Sequence, residues 1–120
     1  MDAGPTHERA TEPEDLSRMV VERLNAGDVD GLVELYEPDA VMALPGGRSA
    51  TGAQQIRAAY EQFVADPPSV QPGTQQPTLR CGELALTSSR LPDGTITVEV
   101  ARRQADRTWR WVLDRPSINS

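Results

Sequence analysis

The chain has 120 residues, 38% apolar and 25% charged, the composition of one globular domain, and arginine supplies all twelve of its basic side chains. Its net charge of −6 is uneven, at −8 over residues 1–39, zero over 40–79 and +2 over 80–120. An acidic chain repels phosphate backbones, which argues against a nucleic-acid partner. A single cysteine, Cys81, allows no internal disulfide and points to a reducing, cytoplasmic compartment, and no segment reaches the ~18 consecutive apolar residues of a membrane span.

Residues 1–12 are rich in Gly, Pro, Thr and Glu with no apolar anchor, and are expected to be a disordered leader ahead of a domain over residues 13–118. The first fifteen residues contain no apolar run of the kind a signal peptide needs. A first helix starts at Pro13 or Glu14, with Leu16, Met19, Val20 and Leu24 as its buried stripe and Gly27 as its left-handed C-terminal cap. Asp28 is a natural N-cap for a second helix running to about Tyr36, stopped by Pro38 and Asp39. Residues 40–44 read as a buried strand closed by the turn Pro45-Gly46-Gly47.

Thr51-Gly52 opens a third helix with the stripe Ile56, Ala59, Tyr60, Phe63 and Val64, ended by Pro67-Pro68. Residues 69–77, rich in Pro, Gln and Gly, are expected to be a surface loop. The rest is strand: residues 78–91, broken near Cys81-Gly82, then 95–104 and 108–115. Pro92-Asp93-Gly94 and Asp106-Arg107 are the connecting turns. Helices followed by a run of strands predict an α+β fold, with helices gathered on one face of a curved antiparallel sheet. A sheet this short must curl to cover three helices, and curling leaves an apolar concavity.

The stretch Leu24-Asn25-Ala26-Gly27-Asp28-Val29-Asp30-Gly31-Leu32, with Leu35-Tyr36 and Pro38-Asp39-Ala40-Val41, resembles the opening of NTF2-like proteins of the SnoaL and ketosteroid-isomerase type. Thr51-Gly52 with Ile56-Arg57, and Arg102-Arg103-Gln104-Ala105-Asp106 with Trp109-Arg110, match later parts of the same family in the right order. The resemblance implies a cone-shaped α+β barrel, three N-terminal helices packed on a curved antiparallel sheet, and a homodimer joined through the outer sheet face. Family members include isomerases, polyketide cyclases, epoxide hydrolases and dehydratases, so the reaction has to be argued from the site.

The steroid isomerases of this family place an aspartate base where this chain has Leu44, and a tyrosine where it has Val20. A position without a titratable group moves no proton, which disfavours steroid isomerisation. Their protonated aspartate falls near Glu99. Glu99 either faces the cone beside Thr97 and Ala101, as a carboxyl in apolar surroundings, or points outward to pair with Arg110.

Asp114 is the second catalytic candidate, at a place where the family's cyclases keep an acid. Alternation puts it with Arg110 and Val112, opposite Trp109, Trp111 and Leu113, and a surface pair with Arg115 competes with a role as base. The resemblance implies a cone in which Val20, Met42, Leu44, Tyr60, Phe63 and Trp111 line the pocket, whereas read from the residues alone they are plain core; Tyr36 and Tyr60 either offer a hydroxyl to a ligand or pair with backbone. One histidine, His7, and one cysteine build no zinc site, and no metal or cofactor is expected. The expected partner is a hydrophobic small molecule, handled by an isomerase, cyclase or dehydratase-type enzyme or held by a non-catalytic carrier or dimerisation module.

Overall fold

In a computed structural model, which describes residues 8–65 and 71–116, helix α1 spans Asp15–Ala26. Leu16 and Met19 are fully buried on its inner face, and Gly27 closes it at φ 67°, a conformation that costs glycine little. The Asp28 carboxylate then accepts the Gly31 N–H at 3.0 Å and caps α2, Val29–Val33.

Helix α2 stops at Val33 and does not reach Tyr36. Tyr36 instead opens strand β1, Tyr36–Ala43, because the sheet captures the chain there: the Leu35 carbonyl accepts the Trp111 N–H at 2.8 Å and Tyr36 pairs with Trp111. Pro38 and Asp39, expected as a helix stop, lie inside β1. They sit where its register shifts between Tyr36 and Val41, so the N–H that proline lacks is not needed for a ladder bond.

A 3-10 turn over Pro45–Gly47 leads to β2, Ser49–Thr51, which pairs back on β1. Helix α3, Gly52–Ala65, buries Ile56 and Tyr60. The strands that follow are β3, Thr74–Gln75, β4, Leu79–Cys81, β5, Leu84–Arg90, β6, Ile96–Arg103, and β7, Trp109–Arg115. Strands β2 and β3, at three and two residues, are too short to display an alternation in the sequence. Strand β3 falls inside the expected loop, while Pro67-Pro68 lies outside the described residues. The turn at Pro92-Asp93-Gly94 forms as expected, with Leu91 N–H on Thr95 O at 2.8 Å.

The strand order is β2-β1-β7-β6-β5-β3, with β4 also on β5. The sheet is mixed rather than antiparallel, because β1 and β7 run parallel. Their pairing joins opposite ends of the chain, and nothing in either strand's own residues specifies its direction. Only α1 and α2 precede the sheet; α3 follows β2, so the helices are not all N-terminal.

Ala10 is 2% exposed and bridges Trp109, so it is an apolar anchor after all. The Glu8 carbonyl accepts from Arg23. Residues 1–7 and 117–120 lie outside the described range.

The core joins Leu16, Met19, Leu32, Met42, Ile56 and Trp111 between the helices and the inner sheet face. No helix among the described residues is long and apolar enough to cross a membrane.

Candidate functional site

Strict alternation along β7 would put Asp114 on the face of Arg110 and Val112. It does not, because β7 carries a bulge: Val100 faces Leu113 while its neighbour Ala101 faces Trp111, leaving Val112 as an extra residue. One inserted residue inverts the parity of everything beyond it. Asp114 is therefore buried with Trp109 and Trp111, and Leu113 turns outward at 49% exposure. At 7% exposure Asp114 is not a surface residue, and among the described residues it forms no ion pair with Arg115.

Strand β6 places Glu99 on the same inner face, 4% exposed, in line with the fully buried Ala101. The alternative partner, Arg110, stands opposite Arg102. Glu99 accepts the Thr87 hydroxyl at 2.6 Å. Thr87, Glu99 and Asp114 form one cross-strand row over β5, β6 and β7, so the two carboxyls are direct neighbours.

Tyr36 ties this row to the helical layer. Its hydroxyl donates to Asp114 Oδ2 at 2.6 Å and lies 2.6 Å from the Tyr60 hydroxyl. With its own proton on Asp114, Tyr36 accepts from Tyr60, giving a chain Tyr60 to Tyr36 to Asp114. The rings of Tyr36 and Trp111 are 5.5 Å apart, and Phe63 meets Tyr60 edge-on at 5.8 Å. The Trp111 indole N–H is buried and finds no hydrogen-bond partner among the described residues.

Burial dominates the electrostatics of this cluster. It raises the Asp114 pKa to about 7; the Tyr36 hydrogen bond pulls it down and the Glu99 charge pushes it further up. Burial also raises Glu99, against the hydroxyls of Thr87 and Thr97 that favour its ionised form. Tyr36 and Tyr60 are raised by burial and by the Asp114 charge, so both stay protonated hydrogen-bond donors.

The cluster borders a cavity of about 1000 Å³. Its wall includes the two acids and all six residues expected as lining: Val20, Met42, Leu44, Tyr60, Phe63 and Trp111. Met42 and Trp111 are deeply buried, Val20 and Leu44 half-buried, and Phe63 is 43% exposed. Tyr36, which local pattern places at a helix end, carries no local sign of reaching a carboxyl on the last strand. Among the described residues, no group of three His, Cys, Asp or Glu side chains has the geometry to hold a metal ion.

The fold is an α+β domain, a curved mixed sheet wrapped by three helices, with two acids buried on its inner face. The chain belongs to the SnoaL-like domain family, whose model matches residues 17–113. Similar solved structures include a ketosteroid isomerase-like protein from Erwinia carotovora atroseptica, 14% identical, with a TM-score of 0.65 over 89% of this chain and 94% of that one. A SnoaL-like protein of unknown function from Burkholderia thailandensis is 20% identical, with a TM-score of 0.62 and the same coverage. An NTF2-like protein with a cystatin-like fold from Novosphingobium aromaticivorans is 16% identical, with a TM-score of 0.60 over 89% and 82% of the two chains. At these identities the structures share the fold alone. No curated protein is significantly similar in sequence.

Proposed function

We propose that this SnoaL-like domain is an enzyme that takes a hydrophobic small molecule into the cavity and moves a proton on it. Asp114 is the acid–base group and Glu99 its modulator, in a reaction of the isomerase, cyclase or dehydratase type. The observation that carries this reading is a pair of buried carboxyls, Asp114 and Glu99, side by side on the wall of a cavity of about 1000 Å³, where burial raises the Asp114 pKa to about 7. A group that titrates at the working pH serves equally as acid and base, which is where general catalysis is most effective. A plain packing role leaves the juxtaposed, desolvated acids without a return for their cost. The cavity volume lies at the upper end of the roughly 300–1,000 Å³ typical of ligand pockets.

Nitrobenzisoxazole is a suitable probe, since a base in apolar surroundings removes its ring C–H proton as the N–O bond breaks to give a cyanophenolate. Turnover is expected to rise with pH through a midpoint near 7, following ionisation of Asp114, and to fall ~10²-fold or more in Asp114→Asn. Glu99→Gln removes the charge that raises Asp114, so its midpoint should move to lower pH. Undiminished turnover in Asp114→Asn would remove the catalytic reading and leave a binding protein.

The outer sheet face supports pairing of two copies. Leu79, Leu86, Val100, Leu113 and Val41 form a cross-strand row over β4, β5, β6, β7 and β1, with Leu79 65% and Leu113 49% exposed; Val41, Val100 and Leu113 also border the open side of the cavity. Such a continuous apolar strip is better covered than wet. Light scattering is expected to give a dimer for the wild type and a monomer for Leu113→Arg; a monomeric wild type would dismiss the pairing. A cytoplasmic setting rests on Cys81, exposed and without a disulfide partner among the described residues.

A further inference from the structure

The cavity has a polar corner apart from its two acids. Gln75, Ser89 and Thr97 form a cross-strand row over β3, β5 and β6, and all three border the cavity. Among the described residues, the buried polar side chains on its wall are Glu99, Asp114 and Ser89, so Ser89 is the uncharged one. Ser89 and Thr97 each stand two residues along their strand from Thr87 and Glu99, and so share the inner face with them. From Asp114 to Ser89 is two strands across and two residues along, roughly 12 Å measured over the sheet.

The row is tied together internally. The Ser89 N–H donates to the Thr97 hydroxyl at 3.0 Å, and the Ser89 hydroxyl donates to Gln75 Oε1 at 3.3 Å. With its oxygen turned to Ser89, the Gln75 amide keeps two N–H donors on its nitrogen. That nitrogen has no partner among the described residues. Gln75 is exposed on the two-residue strand β3, so the fold depends little on its side chain. A hydrophobic molecule with its reacting carbon at Asp114 therefore meets neutral donors at its far end. We propose that Gln75, oriented by Ser89, is a specificity-determining residue that donates to a carbonyl oxygen there, so that the ligand class is a hydrophobic carbonyl compound of about that length. The inference rests on the cavity being the ligand site, as proposed above. A carbonyl that leaves water needs such a donor, because an unpaired buried oxygen weakens binding.

Two probes of one shape test the corner: para-acetylbiphenyl carries a ketone, and para-isopropylbiphenyl has a methyl group in place of its oxygen. Titrations are read by tryptophan fluorescence, since Trp111 borders the cavity. The wild type is expected to bind the ketone at least as tightly as the more apolar hydrocarbon. In Gln75→Leu the ratio of the two affinities should move about fivefold against the ketone, the worth of one net hydrogen bond. Ser89→Ala should move it the same way by less. Gln76→Leu makes the same change one residue on, at a side chain that holds the Thr74 carbonyl and does not border the cavity, and should keep the wild-type ratio. Both probes bound with a ratio unchanged in Gln75→Leu overturns the proposal and leaves the cavity a ligand site. Binding of neither probe also overturns it, while Asp114-dependent turnover of nitrobenzisoxazole decides the catalytic reading separately.

Discussion

Asp114→Asn is expected to stabilise the folded protein at pH 8 by up to about 4 kcal/mol, and to leave it nearly unchanged at pH 4. The sign follows from linkage. The Asp114 pKa is about 7 in the fold against 3.8 for an unperturbed side chain, so between those values the native state holds a proton that the unfolded chain has released. Stability from this group is therefore fully present below pH 4, falls as the pH rises towards 7, and is constant above. A difference of about three pKa units corresponds to about 4 kcal/mol.

Asparagine stays neutral throughout and can still accept the Tyr36 hydroxyl, so the variant should lose this slope. Exposed carboxylates such as Glu8 and Asp106, whose pKa values are lowered by hydrogen bonds to Arg18 and Thr108 respectively, titrate in a more acidic window, while Glu99, raised by its own burial, leaves a slope of the same sign in both proteins, so the Asp114 effect is read as their difference. Urea denaturation of both proteins at pH 4, 6 and 8 measures the effect. Parallel pH dependences would show that Asp114 is not the buried neutral acid described here.

Tyr36→Phe should have the next largest effect. The Tyr36 hydroxyl lowers the Asp114 pKa by favouring the carboxylate, so its removal drives the midpoint above 7 and reduces the ionised base available at neutral pH. It also leaves the buried Tyr60 hydroxyl without its acceptor, at a cost of about 1–3 kcal/mol. Carbon-13 titration of the Asp114 carboxyl reads the midpoint directly. Tyr60→Phe is the control: it does not touch Asp114 and should move that midpoint less. A midpoint that stays put or falls in Tyr36→Phe would break the proposed chain from Tyr60 to Asp114. The two variants also separate the roles of the residues, since Asp114→Asn removes the titrating group while Tyr36→Phe keeps it and alters only when it titrates.

Glu99 illustrates how far local pattern could go. Its neighbours on β6 alternate without interruption, so the two possible faces could be written down from the sequence, and burial against the helices chose the inner one. Asp114 is different in kind. Its face depends on one bulged residue, Val112, and on the unequal spacing with which β1 and β6 flank β7. A bulge is a compromise between two strands, so it is absent from the alternation of either one.

By itself the sequence determined what short-range physics controls: the helical stripe of α1, the Gly27 and Asp28 caps, and the Pro92-Asp93-Gly94 turn. Each of these rests on a backbone angle, a nearby hydrogen bond or a periodicity confined to a few residues. The tertiary structure alone decided the parallel pairing of β1 with β7, the burial of Ala10, the end of α2 ahead of Tyr36, and the hydrogen bond that joins Tyr36 to Asp114 across 78 positions. These depend on which distant partner wins a segment, and that outcome is set by the burial and hydrogen bonding of the whole sheet rather than by the preferences of any one stretch.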